Sequence, residues 1–178
     1  MDADLYKDLY EFELEQRAHL GSIVNIPIIA STALATAAVT MVLGFSYGDS
    51  CLTWAFAAAM AAFSAALAFA VYCIFSSLLS YEYMKLPKAS DLRKHFLDLK
   101  AWHHDEAAAK EDFRQYLNER YAEATDVNNI NNQNRGNYIF RANIALAVGM
   151  ILLAMAGAVY VPAHLMSGDA IYKVRVVP

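Results

Sequence analysis

The sequence predicts an all-α integral membrane protein with three transmembrane helices and a cytoplasmic helical block. Three observations carry the prediction. Leu52–Ser80, LTWAFAAAMAAFSAALAFAVYCIFSSLLS, contains no Asp, Glu, Lys, Arg or His. It exceeds the about 20 apolar residues that a helix needs to cross a bilayer core of about 30 Å. Hydrophobic residues make up 58% of the chain, above the roughly 45–50% of soluble domains. Charges crowd into residues 1–20 and 81–141 and nearly vanish elsewhere, a block pattern that an evenly apolar soluble protein lacks. The predicted segments are a cytoplasmic amphipathic helix (1–20), a first transmembrane helix (21–48), a second (52–80), a cytoplasmic helical block (81–141), a third transmembrane helix (142–161) and a tail (162–178).

The N-terminal stretch is acidic, with no short apolar core of the signal-peptide kind. Leu5, Leu9, Phe12 and Gln16 recur at helical spacing, flanked by Tyr6, Tyr10 and Glu13. Asp2, Asp4 and Asp8 suit the positive end of a helix dipole. Lys7–Glu11 and Glu13–Arg17 are spaced as i,i+4 pairs. An acidic face avoids anionic lipid, so this helix is expected to pack on the cytoplasmic helices.

Gly21–Gly48 is the first uncharged span. Pro27 is tolerated near its start and is a place for a kink. Ser31, Thr32, Thr36 and Thr40 follow at helical spacing after Ser22 and Asn25. Asn25, Thr32, Thr36 and Thr40 form a candidate stripe, read either as pore lining or as hydrogen bonding between or along helices. The turn Ser46–Cys51 (SYGDSC) is too short for anything but a helical hairpin, and Tyr47 with Trp54 forms an aromatic belt. In the second span, Ala57, Ala61 and Ala65 recur every four residues. Small side chains let helix backbones approach closely, so these alanines, with Gly149 and Gly157 of the third span, form a candidate packing surface, within the chain or between copies.

Tyr81–Pro87 marks the exit, and Pro87 disfavours helix at Leu86. The second run is longer than a bilayer core needs, so its helix is expected to tilt or to continue into the cytoplasm as far as Met84. Ser90 is placed to cap the next helix. Over 90–135, Leu92, Phe96, Leu99, Trp102, Phe113, Tyr116, Leu117 and Tyr121 trace an apolar stripe on one long helix, or on two with a break near Trp102–Asp105. Residues 125–137 hold six asparagines. Asparagine is a weak helix former and Gly136 a worse one, so the stretch reads as a loop or, as favoured here, as helix continuing into the third span with amides bonded to other helices. Ala142–Val161 is that span, with Tyr160 and Pro162 at its end. The alternating IYKVRVV of the tail is a short strand or a mobile end.

Ten of the fourteen Lys and Arg residues lie between Tyr81 and Arg141, and SYGDSC has none. The positive-inside rule therefore puts the central block and the N-terminus in the cytoplasm and the hairpin loop outside. Three spans carry the C-terminus outside, against the mild pull of Lys173 and Arg175. The expected location is the bacterial inner membrane, multi-pass.

A formal net charge of −4 gives no reason for a nucleic-acid partner. Cys51 and Cys73 are too far apart along helix to pair and read as small apolar residues. The cluster AWHHDEA, with His103, His104, Asp105 and Glu106, is the one dense group of metal-type side chains, and it reads as a solvated polar face. No catalytic, cofactor-binding or metal-binding residue is predicted: no phosphate-binding loop or nucleophile motif occurs, and no ionisable residue lies inside a span.

The stretch RYAEATDVNNINNQNRGNYIFRANIALAVGMILLA takes a cytoplasmic helix through an Asn/Arg-rich junction into a membrane helix. Together with the hairpin, this plan resembles the SLATT-type membrane effectors of bacterial defence systems over residues 20–160. The resemblance implies a protein that assembles and breaches the membrane on receiving a nucleotide signal. No site residue is carried over from it. The expected function is thus an oligomeric inner-membrane effector, not an enzyme. It would permeabilise the membrane in antiphage defence, gated by a cytoplasmic protein partner or a nucleotide signal, without a cofactor. The alternative is a non-catalytic anchor or scaffold that recruits a soluble partner through residues 90–135.

Overall fold

The computed structural model describes residues 3–48, 51–79 and 81–168. The order is α1 (Ala3–Ile23), α2 (Asn25–Gly44), α3 (Cys51–Leu78), α4 (Ala89–His103) and α5 (Glu106–Gly168), with no strand among the described residues. Three stretches, Leu5–Gly44, Cys51–Leu78 and Glu106–His164, are helices long and apolar enough to cross a membrane.

α1 and α2 are separated only by a turn at Val24. Pro27 causes the interruption. It has no N–H for the carbonyl of Ile23, and its ring crowds that carbonyl. α2 ends at Gly44, where the Tyr47 hydroxyl donates to the carbonyl of Val42 at 2.9 Å. Asp49 and Ser50 of the hairpin turn lie outside the described residues, as does the tail segment IYKVRVV.

The described residues divide into two compact units, one from Met1–Ser22 and Leu78–Gly136, the other from Ile23–Ser77 and Asn137–Pro178. In the second unit α2, α3 and the later part of α5 pack on one another. Phe56, Phe63, Met60, Ala38, Phe45 and Ala156 form its main core, and Ala70, Ala145 and Leu146 a smaller one. Phe45 stacks flat on Phe56 at 4.0 Å. The glycines of α5 serve as contact points: a Cβ on Gly149 would touch the Phe63 ring, and one on Gly157 the Met41 methyl, both at ordinary van der Waals distance.

In the first unit α4 and α5 form a hairpin. His104 ends α4 in the left-handed conformation, φ 51°, and Asp105 starts α5 by accepting from Ala107 N–H at 3.0 Å, as a helix-capping aspartate does. The expected break near Trp102–Asp105 is thus a two-helix turn. Rings bind the pair: Phe96 meets Phe113 edge-on at 5.4 Å, and His95 lies 4.3 Å from Tyr116. Residues 125–137 are helical within α5, and Tyr10 of α1 meets Tyr121 at 5.6 Å.

Several expectations are corrected. α3 ends at Leu78 rather than running to Met84, and residues 81–88 are non-helical. The N–H and C=O of Met84 and the C=O of Glu82 find partners in asparagine side chains instead of a helix ladder. Lys88, not Ser90, precedes α4, and its carbonyl accepts from Asp91 and Leu92. α5 passes through Pro162 to Gly168 rather than stopping there. Trp102, counted in the apolar stripe, is 80% exposed. On α1 the face turned inward carries Tyr10 and Glu13, while Leu5, Leu9 and Phe12 are exposed. The Lys7–Glu11 pair forms at 3.7 Å. Glu13 and Arg17, instead of pairing, turn to Asn132 and Tyr83.

Candidate functional site

The densest polar arrangement is in the first unit, where α1, the 81–84 segment and α5 meet. Non-helical backbone leaves N–H and C=O groups that need partners. Asn128, fully buried, supplies both at once. Its Nδ2 donates to the carbonyl of Met84 at 3.2 Å, and its Oδ1 accepts from the Met84 N–H at 2.9 Å. One turn on, Asn131 donates to the carbonyl of Glu82 at 2.9 Å. Asn132 donates to both the carbonyl and the carboxylate of Glu13 at 2.8 Å and accepts from the Tyr83 hydroxyl at 2.7 Å. The spacing 128, 131, 132 puts all three amides on one helical face.

Two arginines converge on Tyr83. Arg135, buried on α5, donates from Nη1 to the hydroxyl at 3.1 Å. The Arg17 guanidinium of α1 lies over the ring, 4.3 Å from its centre. Both line a cleft of about 400 Å³, with Leu14, Gly21, Leu78 and Tyr81 among its other walls. The sequence singled out neither Arg17 nor Arg135 as a site. The signal available was the Arg in NNQNRGN, three residues from the nearest of three helix-face asparagines.

The candidate residues of the second unit fall differently. Asn25, Thr32, Thr36 and Thr40 are all exposed. The three threonine hydroxyls donate to carbonyls four residues back, Ile28, Thr32 and Thr36, at 2.9–3.0 Å. Each donor is therefore spent inside α2, and only acceptor lone pairs and methyl groups face outward. Ala57, Ala61 and Ala65 are exposed as well. They do not pack within the chain. The aromatic face of α3, led by Phe56 and Phe63, is turned inward because those rings bury far more area than a methyl group. Gly149 and Gly157 do pack within the chain.

The AWHHDEA cluster is split by ion pairs. His103 Nε2 meets Asp112 at 2.7 Å. Glu106 pairs with Lys100 and with Lys110, each at 2.9 Å. The hydrogen bond from Lys100, then that from Lys110, holds the Glu106 carboxyl down at about 2. No group of three or more His, Cys, Asp or Glu side chains able to hold a metal ion occurs among the described residues. Compared with protein-family models, with curated proteins and with solved structures, the chain finds no match.

Proposed function

We propose that this chain is a multi-pass protein of the bacterial inner membrane, N-terminus in the cytoplasm, that assembles with copies of itself and permeabilises the bilayer. The observation that carries the reading is the alanine face of α3. Ala57, Ala61 and Ala65 are exposed at four-residue spacing on a helix long and apolar enough to span a membrane. Lipid gives apolar helices no hydrophobic reason to associate, so close backbone approach at small residues is a main drive. A helix facing only lipid has no use for such a face, whereas a second copy of α3 does. The exposed threonines of α2 offer a row of oxygen acceptors along the assembly. The first unit, where the chain's cations concentrate, supplies a cytoplasmic part able to respond to a protein or nucleotide signal. The antiphage setting follows from the architectural resemblance.

The test is release of a trapped dye from liposomes by the wild type and by Ala61→Leu, whose larger side chain keeps two backbones apart. Release by the wild type and loss of at least half of it in the variant is the expected result. Equal release by both contradicts the reading. The exposed Trp102 of α4 favours a second reading, a scaffold that holds a soluble partner through residues 90–135. Under it neither protein releases dye.

A further inference from the structure

We infer that the outward faces of α1 and α4 dock on each other between copies of this chain, acidic face on basic face. This docking presupposes the assembly of copies proposed above and adds a second contact, made by the first unit.

α1 turns Tyr10 and Glu13 inward. Its far side carries Leu5, Asp8, Phe12 and Glu15, with Glu11 beside them, all exposed. Spacings of three and four residues set the first four in one stripe along the helix. α4 rests on α5 through His95 and Phe96. Its far side carries Arg93, Leu97 and Lys100, with Lys94 beside them, all exposed.

Single exposed apolar residues are ordinary on any surface. Phe12 and Leu97, each 52% exposed, differ in being set among charges of one sign. The two patterns also match. Asp8, Phe12 and Glu15 have the same spacing as Arg93, Leu97 and Lys100. On both helices the outer charges are seven residues apart, about 10 Å along the axis. Laid side by side, the helices put acid on base at both ends and the Phe12 ring on Leu97 between.

The charges are available for this. Among the described residues Asp8, Glu15, Arg93 and Lys94 form no ion pair and no hydrogen bond. Lys100 is shared with Glu106 at 2.9 Å, an exposed pair that exchanges at little cost. The acids of α4, Asp91 and Asp98, lie about 100° or more round the helix from Leu97. Both faces are exposed, so neither covers the other within one chain. The complement of each is on another copy. Every copy carries both, so the contact repeats through an assembly.

Exposed ion pairs hold little one by one. Complementary charge fixes register and partner more than it adds affinity. Copies that meet at α3 in one bilayer raise the effective concentration for the second contact. The α3 face thus holds the copies, and the α1–α4 contact orders them.

The experiment places benzoylphenylalanine at position 12 of the full chain. Equal amounts of light and heavy-isotope protein are reconstituted together in phosphatidylcholine liposomes, illuminated and digested, and mass spectrometry reads the light-to-heavy cross-links. Cross-links from position 12 of one copy to α4 of another are expected. Arg93→Glu with Lys94→Glu should lower their yield at least about fivefold. Adding Asp8→Lys with Glu11→Lys to the same chain, with Glu15 and Lys100 kept, should restore about half of the loss or more. All four positions are exposed, and restoration assigns the loss to charge rather than to misfolding. Absence of these cross-links, a yield unmoved by the first pair of substitutions, or no recovery with the second overturns the docking. So does an adduct to lipid in place of α4, which would put the α1 face on the membrane surface. A subunit count on the same liposomes separates the two readings. Several subunits without these cross-links end the docking alone, and single subunits end the assembly reading.

Discussion

The two units of this chain are built from opposite materials. The first is held by directed polar contacts: the Asn128 amide on the Met84 backbone, Asn132 between Glu13 and Tyr83, and Asp105 capping α5. The second is held by shape: Phe45 flat on Phe56, Phe63 against Gly149, Met41 against Gly157. Directed bonds suit a region where water competes for every polar group and a wrong arrangement leaves donors unpaired. Close packing of rings on small residues suits helices long and apolar enough to cross a membrane, since in the lipid proposed for them no hydrophobic drive separates right from wrong neighbours and contact quality must. The contrast predicts that polar substitutions damage the first unit and volume substitutions the second.

The largest effect is expected from Asn128→Leu. It nearly preserves volume but leaves the N–H and C=O of Met84 without partners, at a cost of about 2–4 kcal/mol to the first unit. Hydrogen exchange should show lost protection at Met84, with Ala142–Ala156 exchanging as in the wild type. Unchanged protection at Met84 would mean that shape, not the amide, holds the segment.

A smaller effect tests the second unit. A Cβ on Gly44 would stand 2.5 Å from the Tyr160 hydroxyl, so Gly44→Ala should cost about 1–2 kcal/mol by overpacking. The obstacle is the hydroxyl, with the ring carbon behind it at 3.4 Å. Tyr160→Phe should therefore restore most of the loss in the double variant, as measured by thermal unfolding in detergent. A loss that persists in the double variant would place the cost in the backbone of Gly44 instead.

How much of this was legible in the sequence follows the same division. The uncharged run Leu52–Ser80 was readable because absence of charge is a property of the stretch itself. The helical character of 125–137 was only partly readable, because asparagine and Gly136 are weak helix formers and a loop stayed open beside the favoured helix. The job of Asn128 was not, since its partner is a backbone group at Met84, and backbone groups carry no sequence signal. The end of α3 at Leu78 was missed for the same reason: the asparagines, not Pro87, make a non-helical 81–88 affordable. The spacing of Ala57, Ala61 and Ala65 was plain, but spacing fixes a face without saying whether it turns in or out. Phe56 and Phe63 decided that by taking the inside. On α1 the sequence pointed to Leu5, Leu9 and Phe12, yet Glu13 is the buried side chain, because Asn132 supplies the hydrogen bonds that make its burial possible.

The smallest expected effect is electrostatic. Glu106 titrates near 2 instead of its ordinary 4.5. A carboxyl depressed in the folded state contributes stability above its unfolded value, and this contribution fades as pH falls from about 4.5 toward 2. The group is exposed, so the contribution is slight and weakens with salt. Its side-chain carbon signal, followed by NMR between pH 6 and 1.5, should turn over near 2. In Lys100→Gln with Lys110→Gln the midpoint should rise toward 4.5. A wild-type midpoint already near 4.5 would mean that neither lysine holds the carboxylate.

Assembly of copies through the outward alanine face of α3 is the central proposal. The direct measurement is a count of subunits per assembly in a bilayer, by stepwise photobleaching of singly labelled protein, for the wild type and for Ala61→Leu. Several bleaching steps per spot in the wild type and single steps in the variant are the predicted result. Single steps in the wild type, or the same multiple steps in both, would contradict it.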